Sequence, residues 1–265
     1  MHHPEIMDTA TQVDTQKKEP LVSILMLTYN RASYLKQAIE SVLQQSYRHF
    51  ELIIIDDGST DETESVLSTF IDTRVRLVLH KENKGLLARR QESLLLAQGT
   101  YVAVLDSDDL WESEKLAAQI AYMELHSDCV LIGTWITRID ETGNPQGTTR
   151  YANEDAAIRR RIFWRNQFAH SSVLMRKDAL EKTSGYRFPL DEDLDLFLQI
   201  GLYGTFANIP EPLTQYRVHA GGKSANRRGM IENVLKIIKT HRDSYPSYLP
   251  AYLKYSVAYL LTYLR

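Results

Sequence analysis

From residue 20 onward, short apolar runs rich in Val, Ile and Leu alternate with segments whose apolar residues recur every three to four positions. The first pattern suits strands buried on both faces and the second suits amphipathic helices, so their alternation predicts βαβ units and a mainly parallel sheet flanked by helices. The runs at residues 21–28, 51–56, 74–80 and 101–105 are the four expected strands. A helix is expected over residues 33–45, with Leu35, Ile39, Val42 and Leu43 on one stripe, and another over 86–97, closed by Gly99 as a C-cap. A shorter one should follow Ser59 or Thr60 as N-cap, with Asp61 and Glu62 in its acidic first turn and Val66, Leu67 and Phe70 facing inward.

Past Trp111 a helix runs to about His126, and the alternation then loosens into strands near 130–139, a Gly143-Asn144-Pro145 turn and shorter mixed elements. This half reads as insertions around a site. The expected organisation is a polar N-terminal tail over 1–19, one α/β domain over 20–225 (halves 20–110 and 111–225) and a helical C-terminal extension over 226–265. In the extension Tyr248, Tyr252, Tyr255, Tyr259 and Tyr263 recur at helical spacing beside Leu249, Leu253, Leu260 and Leu264. Such a helix packs on the domain, pairs with a second copy, or lies at a membrane surface, where tyrosines favour the interface.

The 265 residues, 43% apolar and 25% charged, suffice for one large α/β domain. A net charge of -3 with dispersed basic residues lacks the footprint of a nucleic-acid binder, so no nucleic-acid partner is expected. Cys129, the only cysteine, excludes an intramolecular disulfide framework and reads as a small buried hydrophobe. No apolar run approaches the roughly 20 residues that cross a bilayer, and residues 1–20 lack the basic start and apolar stretch of a secretion signal. The expectation is a cytoplasmic protein, peripheral at the inner membrane face if the last helix serves that purpose.

Ligands of open α/β sheets bind outside the carboxyl ends of the strands. Three such ends are unusually polar here: Thr28-Tyr29-Asn30-Arg31, Asp56-Asp57-Gly58-Ser59-Thr60-Asp61 and Asp106-Ser107-Asp108-Asp109. Crowded carboxylates repel one another unless hydrogen-bond donors or a divalent cation compensate them, and hard oxygen ligands suit Mg²⁺ or Mn²⁺ bridging to phosphates.

Together with Asn83-Lys84-Gly85 and Ala88-Arg89, these motifs make residues 21–110 resemble the nucleotide-binding half of family 2 glycosyltransferases with the GT-A fold, a Rossmann-like α/β architecture. The resemblance implies an inverting transferase that moves a sugar from a nucleotide-diphosphate donor, a UDP-sugar first, to a saccharide, glycolipid or other hydroxyl acceptor in surface polysaccharide or glycan synthesis. By the same resemblance Thr28, Tyr29, Asn30, Arg31, Asp57, Lys84, Arg89, Asp106 and Ser107 form the donor site, Arg89 bracing the acids or the nucleotide. Asp106 and Asp108 are the two acids of the DxD motif, Asp108 being the ligand of Mn²⁺ or Mg²⁺.

The segment from Asp191 to Gln199 is similar to the acidic start of the family's acceptor-side helix, which makes Asp193 the implied general base. Asp191 and Glu192 flank it in acceptor-side or supporting positions, and Asp195 supports its neighbours; spacing alone does not choose among the three aspartates. Tyr216-Arg217-Val218-His219, before Gly221-Gly222 and Ser224, resembles the segment where a histidine joins the metal or diphosphate, and His170 would line or support the acceptor pocket. Two alternatives stay open on the residues: a haloacid-dehalogenase-type phosphatase, since Asp106 and Asp108 also follow a strand, and a nucleotide-sugar-binding module without activity.

Overall fold

All seven residues of the first apolar run are buried and form β1 (Val22–Thr28). Side chains alternate between the faces of a strand, and an unbroken apolar run means that both faces are covered. Leu25 and Leu27 enter one core cluster with Ile53, Ile55, Val102 and Val104, whereas Ile24 and Met26 enter a second with Leu52, Ile54 and Ala103. Each such side chain contributes roughly 1.5–3 kcal/mol on full burial. The computed structural model describes residues 19–219 and 227–262.

The strands that follow are β2 (Phe50–Asp56), β3 (Val75–Leu79), β4 (Tyr101–Val104), β5 (Leu110–Trp111), β6 (Cys129–Ile139), β7 (Pro145–Thr149), β8 (Leu174–Arg176) and β9 (Thr205–Arg217). Among the described residues they form one sheet in the order β3-β2-β1-β4-β8-β6-β9-β5, with β7 beside β6. The expected parallel character holds for β3-β2-β1-β4. Beyond β4 the sheet is mixed, because β8 runs antiparallel to both β4 and β6, and β5 antiparallel to β9.

The helices are α1 (Ala32–Leu43), α2 (Thr63–Leu67), α3 (Leu86–Leu96), α4 (Lys115–Leu125), α5 (Asp155–Arg161), α6 (Lys177–Leu180), α7 (Glu192–Ile200), α8 (Arg227–Thr240) and α9 (Tyr248–Leu261). α1 buries Leu35, Ala38, Ile39 and Val42 in the second cluster, while α7 supplies Leu194, Leu196, Phe197, Leu198 and Ile200 to the first. Ile237 and Ile238 of α8, Tyr245 between the two helices and Ala251 of α9 share that first cluster.

Two local expectations change, and one left open is decided. α2 starts at Thr63 rather than after Ser59 or Thr60, because Ser59 is held by the Asp56 carboxylate while Asp61 accepts from the Thr63 N–H at 3.0 Å. Gly99 is no C-cap: a Cβ there would stand 2.6 Å from Leu21 O and Ser23 N, so close backbone approach requires the glycine. In α9 Tyr248, Tyr252 and Tyr255 pack on the core, whereas Leu249, Leu253 and Leu260 face outward. Tyr263, Leu264 and the Gly221-Gly222 segment with Ser224 lie outside the described residues. Cys129 is buried, as a small hydrophobe would be.

Candidate functional site

The carboxyl ends of β1, β2 and β4 lie side by side, with Thr28 in register with Asp56. Immediately after β2 the backbone turns through Gly58 at φ +75°, and a Cβ there would meet Glu82 C at 2.9 Å. That approach brings the segment before α3 against the turn. Asp57 accepts from the N–H groups of Lys84 at 2.9 Å and Gly85 at 2.8 Å and from Arg89 Nε at 2.6 Å. A carboxylate has about four lone-pair sites, so these three donors leave one, on Oδ2. Arg89 is fixed in turn by Glu92 at 2.9 Å and Glu82 O at 2.9 Å. Lys84 enters the site through its backbone; its side chain is exposed.

Thr28 is buried at the strand end, and among the described residues its Oγ1 has no hydrogen-bond partner. Tyr29 is exposed beside it. Asn30 takes a left-handed φ of +50°, donates its N–H to Ser59 Oγ and accepts from Thr60 N at 2.8 Å, which ties the first polar strand end to the second. Arg31 places Nε 3.8 Å from Asp108 Oδ2, joining the first end to the third.

Asp106 accepts from Arg90 and donates its N–H to Ser171 Oγ at 3.1 Å. Arg90 is fully buried, and among the described residues its Nε and Nη1 have no hydrogen-bond partner. Its Nη2 also lies 3.0 Å from His170 Nδ1. Arginine only donates, so Nδ1 accepts and His170 Nε2–H donates to Tyr186 Oη at 2.9 Å. His170 therefore stands behind Asp106, buried, as a support rather than as a lining residue of an open pocket. Ser107 is buried next to it.

Asp108 Oδ2 stands 2.9 Å from His219 Nε2, and the imidazole packs beside Tyr34. Two donors sharing one divalent cation at about 2.1 Å and near right angles lie about 3 Å apart, so this pair fits two adjacent positions on a cation. Among the described residues no group of three His, Cys, Asp or Glu side chains converges as a closed metal cage. The donor set suits a cation that keeps other positions for phosphate oxygens and water. Asp109 is the anchor of this loop: Ser171 donates to it at 2.5 Å and Arg217 N at 2.8 Å. Burial first, then the Asp108 and Asp106 carboxylates, push Asp109 well above the usual carboxylate range. Arg217 Nε donates to Asp108 O at 2.8 Å and Nη1 to Asp140 O and Glu141 O at 3.0 Å, which fixes the loop against the turn before β7.

At the start of α7 the acids separate. Asp191, at φ +52°, precedes the helix, and Glu192 is buried facing the charge of Arg90. Asp193 accepts from Asn166 Nδ2 at 3.0 Å. Asp195 is completely buried among Arg187 Nε and Nη2 at 2.8 and 2.5 Å, Gln199 Nε2 at 2.9 Å and His241 Nε2 at 3.0 Å. Against the effect of burial, His241 and Arg187 hold its carboxyl below the usual range. Tyr216 links α7 with the strand ends: burial, then the negative fields of Asp109, Asp106, Asp108 and Asp193, push its phenol up. The charges of all four acids are thus felt at this one phenol.

Arg90, Tyr186 and Asn166 are site-forming residues absent from the sequence reading, which named Tyr216 only as the start of the His219 motif. Arg90 carried a readable signal, because it lies four residues after Leu86 and four before Leu94, on the apolar stripe of α3. Tyr186 and Asn166 meet the site only through tertiary apposition.

The profile of glycosyl transferase family 2 matches residues 23–184. A putative teichuronic acid biosynthesis glycosyltransferase, TuaG of Bacillus subtilis (strain 168), is 32% identical over 79% of this chain and 83% of its own length. The UDP-Glc:alpha-D-GlcNAc-diphosphoundecaprenol beta-1,3-glucosyltransferase WfaP of Escherichia coli is 32% identical over 82% of this chain and 86% of its own. Among solved structures, S. aureus TarS 1-349 in complex with UDP-GlcNAc superposes with a TM-score of 0.72 at 18% identity, covering 90% of this chain and 73% of that one. The mannosyltransferase PcManGT from Pyrobaculum calidifontis, in complex with GDP-Man and Mn²⁺, gives 0.66 at 18% identity, with 91% and 70% covered. At these identities the two structures establish a shared fold.

Proposed function

Because the chain belongs to glycosyl transferase family 2, we propose that it transfers a sugar, with inversion, from a UDP-sugar to a hydroxyl of a lipid-borne saccharide in surface-glycan synthesis. It is a glycosyltransferase with the GT-A fold, and its relatives include enzymes named for polysaccharide and glycolipid synthesis. The UDP donor is supported by the names of WfaP and of the TarS complex, and the lipid-borne acceptor by that of WfaP. The reaction belongs at the cytoplasmic face of a membrane; no helix among the described residues is long and apolar enough to cross one.

The observation that carries the reading is the pairing of Asp108 with His219 at 2.9 Å beside Asp106, and the charges of Asp106, Asp108 and Asp193 acting together on Tyr216 support one crevice shared by donor and acceptor sides. On the donor side, the lone-pair site left on Asp57 would accept a ring N–H of the base, and the Thr28 hydroxyl would meet the base or ribose. Asp106, held by Arg90 and flanked by Ser107, would accept from the ribose hydroxyls. Asp108 and His219 would hold Mn²⁺ or Mg²⁺, which when bound supplies positive charge to the diphosphate leaving group. Arg31 adds a second positive charge beside Asp108.

On the acceptor side, Asp193, oriented by Asn166, takes the proton of the acceptor hydroxyl. The oxygen forms its bond to the anomeric carbon from the face opposite the diphosphate while the bond to the diphosphate oxygen breaks, so configuration inverts and UDP leaves. Asp191 and Glu192, which immediately precede it at the start of α7, would support the acceptor side. The phosphatase alternative has no support, since Asp106 follows the fourth strand of a chain that matches a transferase family throughout this half.

NMR of the product made from a UDP-sugar and a lipid-diphosphate-linked saccharide tests this directly. Inverted configuration is expected, with Asp193→Asn lowering kcat by about 10²- to 10⁴-fold and leaving UDP affinity intact. Retained configuration, or full turnover by the variant, would overturn it.

A further inference from the structure

The transfer chemistry makes no use of the outer face of α9. Leu249, Leu253, Val257, Leu260 and Leu261 are each 52–63% exposed, and at helical spacing they form one apolar stripe roughly 18 Å long. α9 itself carries no acidic residue. Residues 227–265 contain seven Lys and Arg against two Asp and Glu, in a chain whose net charge is -3. Both acids are already paired, Glu232 with Arg228 at 3.5 Å and Asp243 with Arg242 at 3.1 Å.

The end of α5 and the residues that follow it complete this surface. Ser247 Oγ donates to Arg160 O at 3.2 Å, and Lys254 Nζ and Tyr255 Oη donate to Trp164 O at 2.7 and 3.2 Å. Arg160, Arg161, Trp164 and Arg165 are exposed there, so the apolar stripe has a basic and aromatic rim. The same segment reaches the reaction centre, since Asn166, two residues past Trp164, donates to Asp193. A two-fold pair of identical chains would set this basic surface against itself, which like-charge repulsion disfavours. An anionic lipid surface matches both the apolar stripe and its rim, and a helix of 14 residues is too short to span a bilayer, so it would lie in the interface plane.

We propose that α9 and the segment 160–165 dock the protein on an anionic lipid surface, with the Asp193 side of the crevice toward the headgroups. The inference rests on the lipid-borne acceptor for its purpose and on the surface itself for its chemistry. The test is sedimentation of the full chain with vesicles of phosphatidylcholine alone or mixed with phosphatidylglycerol, alongside titration with UDP. The expected result is binding about tenfold tighter to the anionic vesicles, reduced about tenfold in Leu253→Ser/Leu260→Ser and in Arg160→Glu/Arg161→Glu, with UDP binding unchanged. Failure to sediment with anionic vesicles while UDP still binds would overturn the docking proposal and leave the transferase reading standing. A dimer in analytical ultracentrifugation that Leu253→Ser/Leu260→Ser dissolves, without vesicle binding, would also overturn it. Vesicle binding without UDP binding would support docking and count against the donor reading alone.

Discussion

A carboxylate whose lone pairs are all taken by fixed donors holds structure, and Asp195 is that case in α7. Four nitrogen atoms surround its two oxygens within 3.0 Å. Because its folded carboxyl lies below the usual range, its contribution to stability is full above the unfolded value of about 3.9 and is lost as pH falls through the folded one. Asp195→Asn should therefore destabilise the protein at neutral pH by about 3 kcal/mol, and the gap to the natural chain should close below about pH 4; chemical denaturation across pH measures it. A gap independent of pH would contradict the ionic role. At this scale the strand-end acids were legible because acid clusters after apolar runs have few structural explanations. Asn166 was not, since it reaches Asp193 from a segment distant in sequence.

Single elements show where periodicity stops being informative. The stripes of α1 and α3 were readable, yet the Tyr and Leu stripes of α9 are both apolar enough to be the inner face. Packing of Tyr248, Tyr252 and Tyr255 on the α7 cluster decided it. In α4, Lys115 is fully buried, its Nζ 3.8 Å from the Trp111 ring centroid and without a hydrogen-bond partner among the described residues. Burial pushes its amine well below the usual lysine range, so the unfolded chain takes up this proton more readily, and stability should rise with pH between the folded value and about 10.4. Contact with Trp111 offsets only part of the cost of burial. Lys115→Met should stabilise the protein at neutral pH by about 1–4 kcal/mol, as replacement of an ill-compensated buried charge does, and should flatten that rise. Destabilisation in a thermal melt across pH would show that the Trp111 contact dominates.

Across the whole molecule, legibility follows contact distance along the chain. Residues 20–110 place strands in the order β3-β2-β1-β4 by successive βαβ steps, and local pattern suffices for those. The acceptor half is built by β8, only three residues long, wedged between β4 and β6, and by β9, which pairs in parallel with β6. Such long-range pairings leave little periodic signal. We propose that the domain over 20–225 and the extension over 226–265 unfold together, since Ile237, Ile238, Tyr245 and Ala251 share a cluster with α7.

The central claim is that the three strand ends form one donor site that holds a nucleoside diphosphate through a shared cation. Calorimetric titration with UDP, GDP and dTDP, each with Mn²⁺ and again with chelator, tests it without knowledge of the acceptor. The account predicts binding of UDP that requires the cation and is lost in Asp108→Ala, whose partner His219 stands 2.9 Å away. Binding of no nucleotide, or UDP binding indifferent to both chelator and Asp108→Ala, would contradict it.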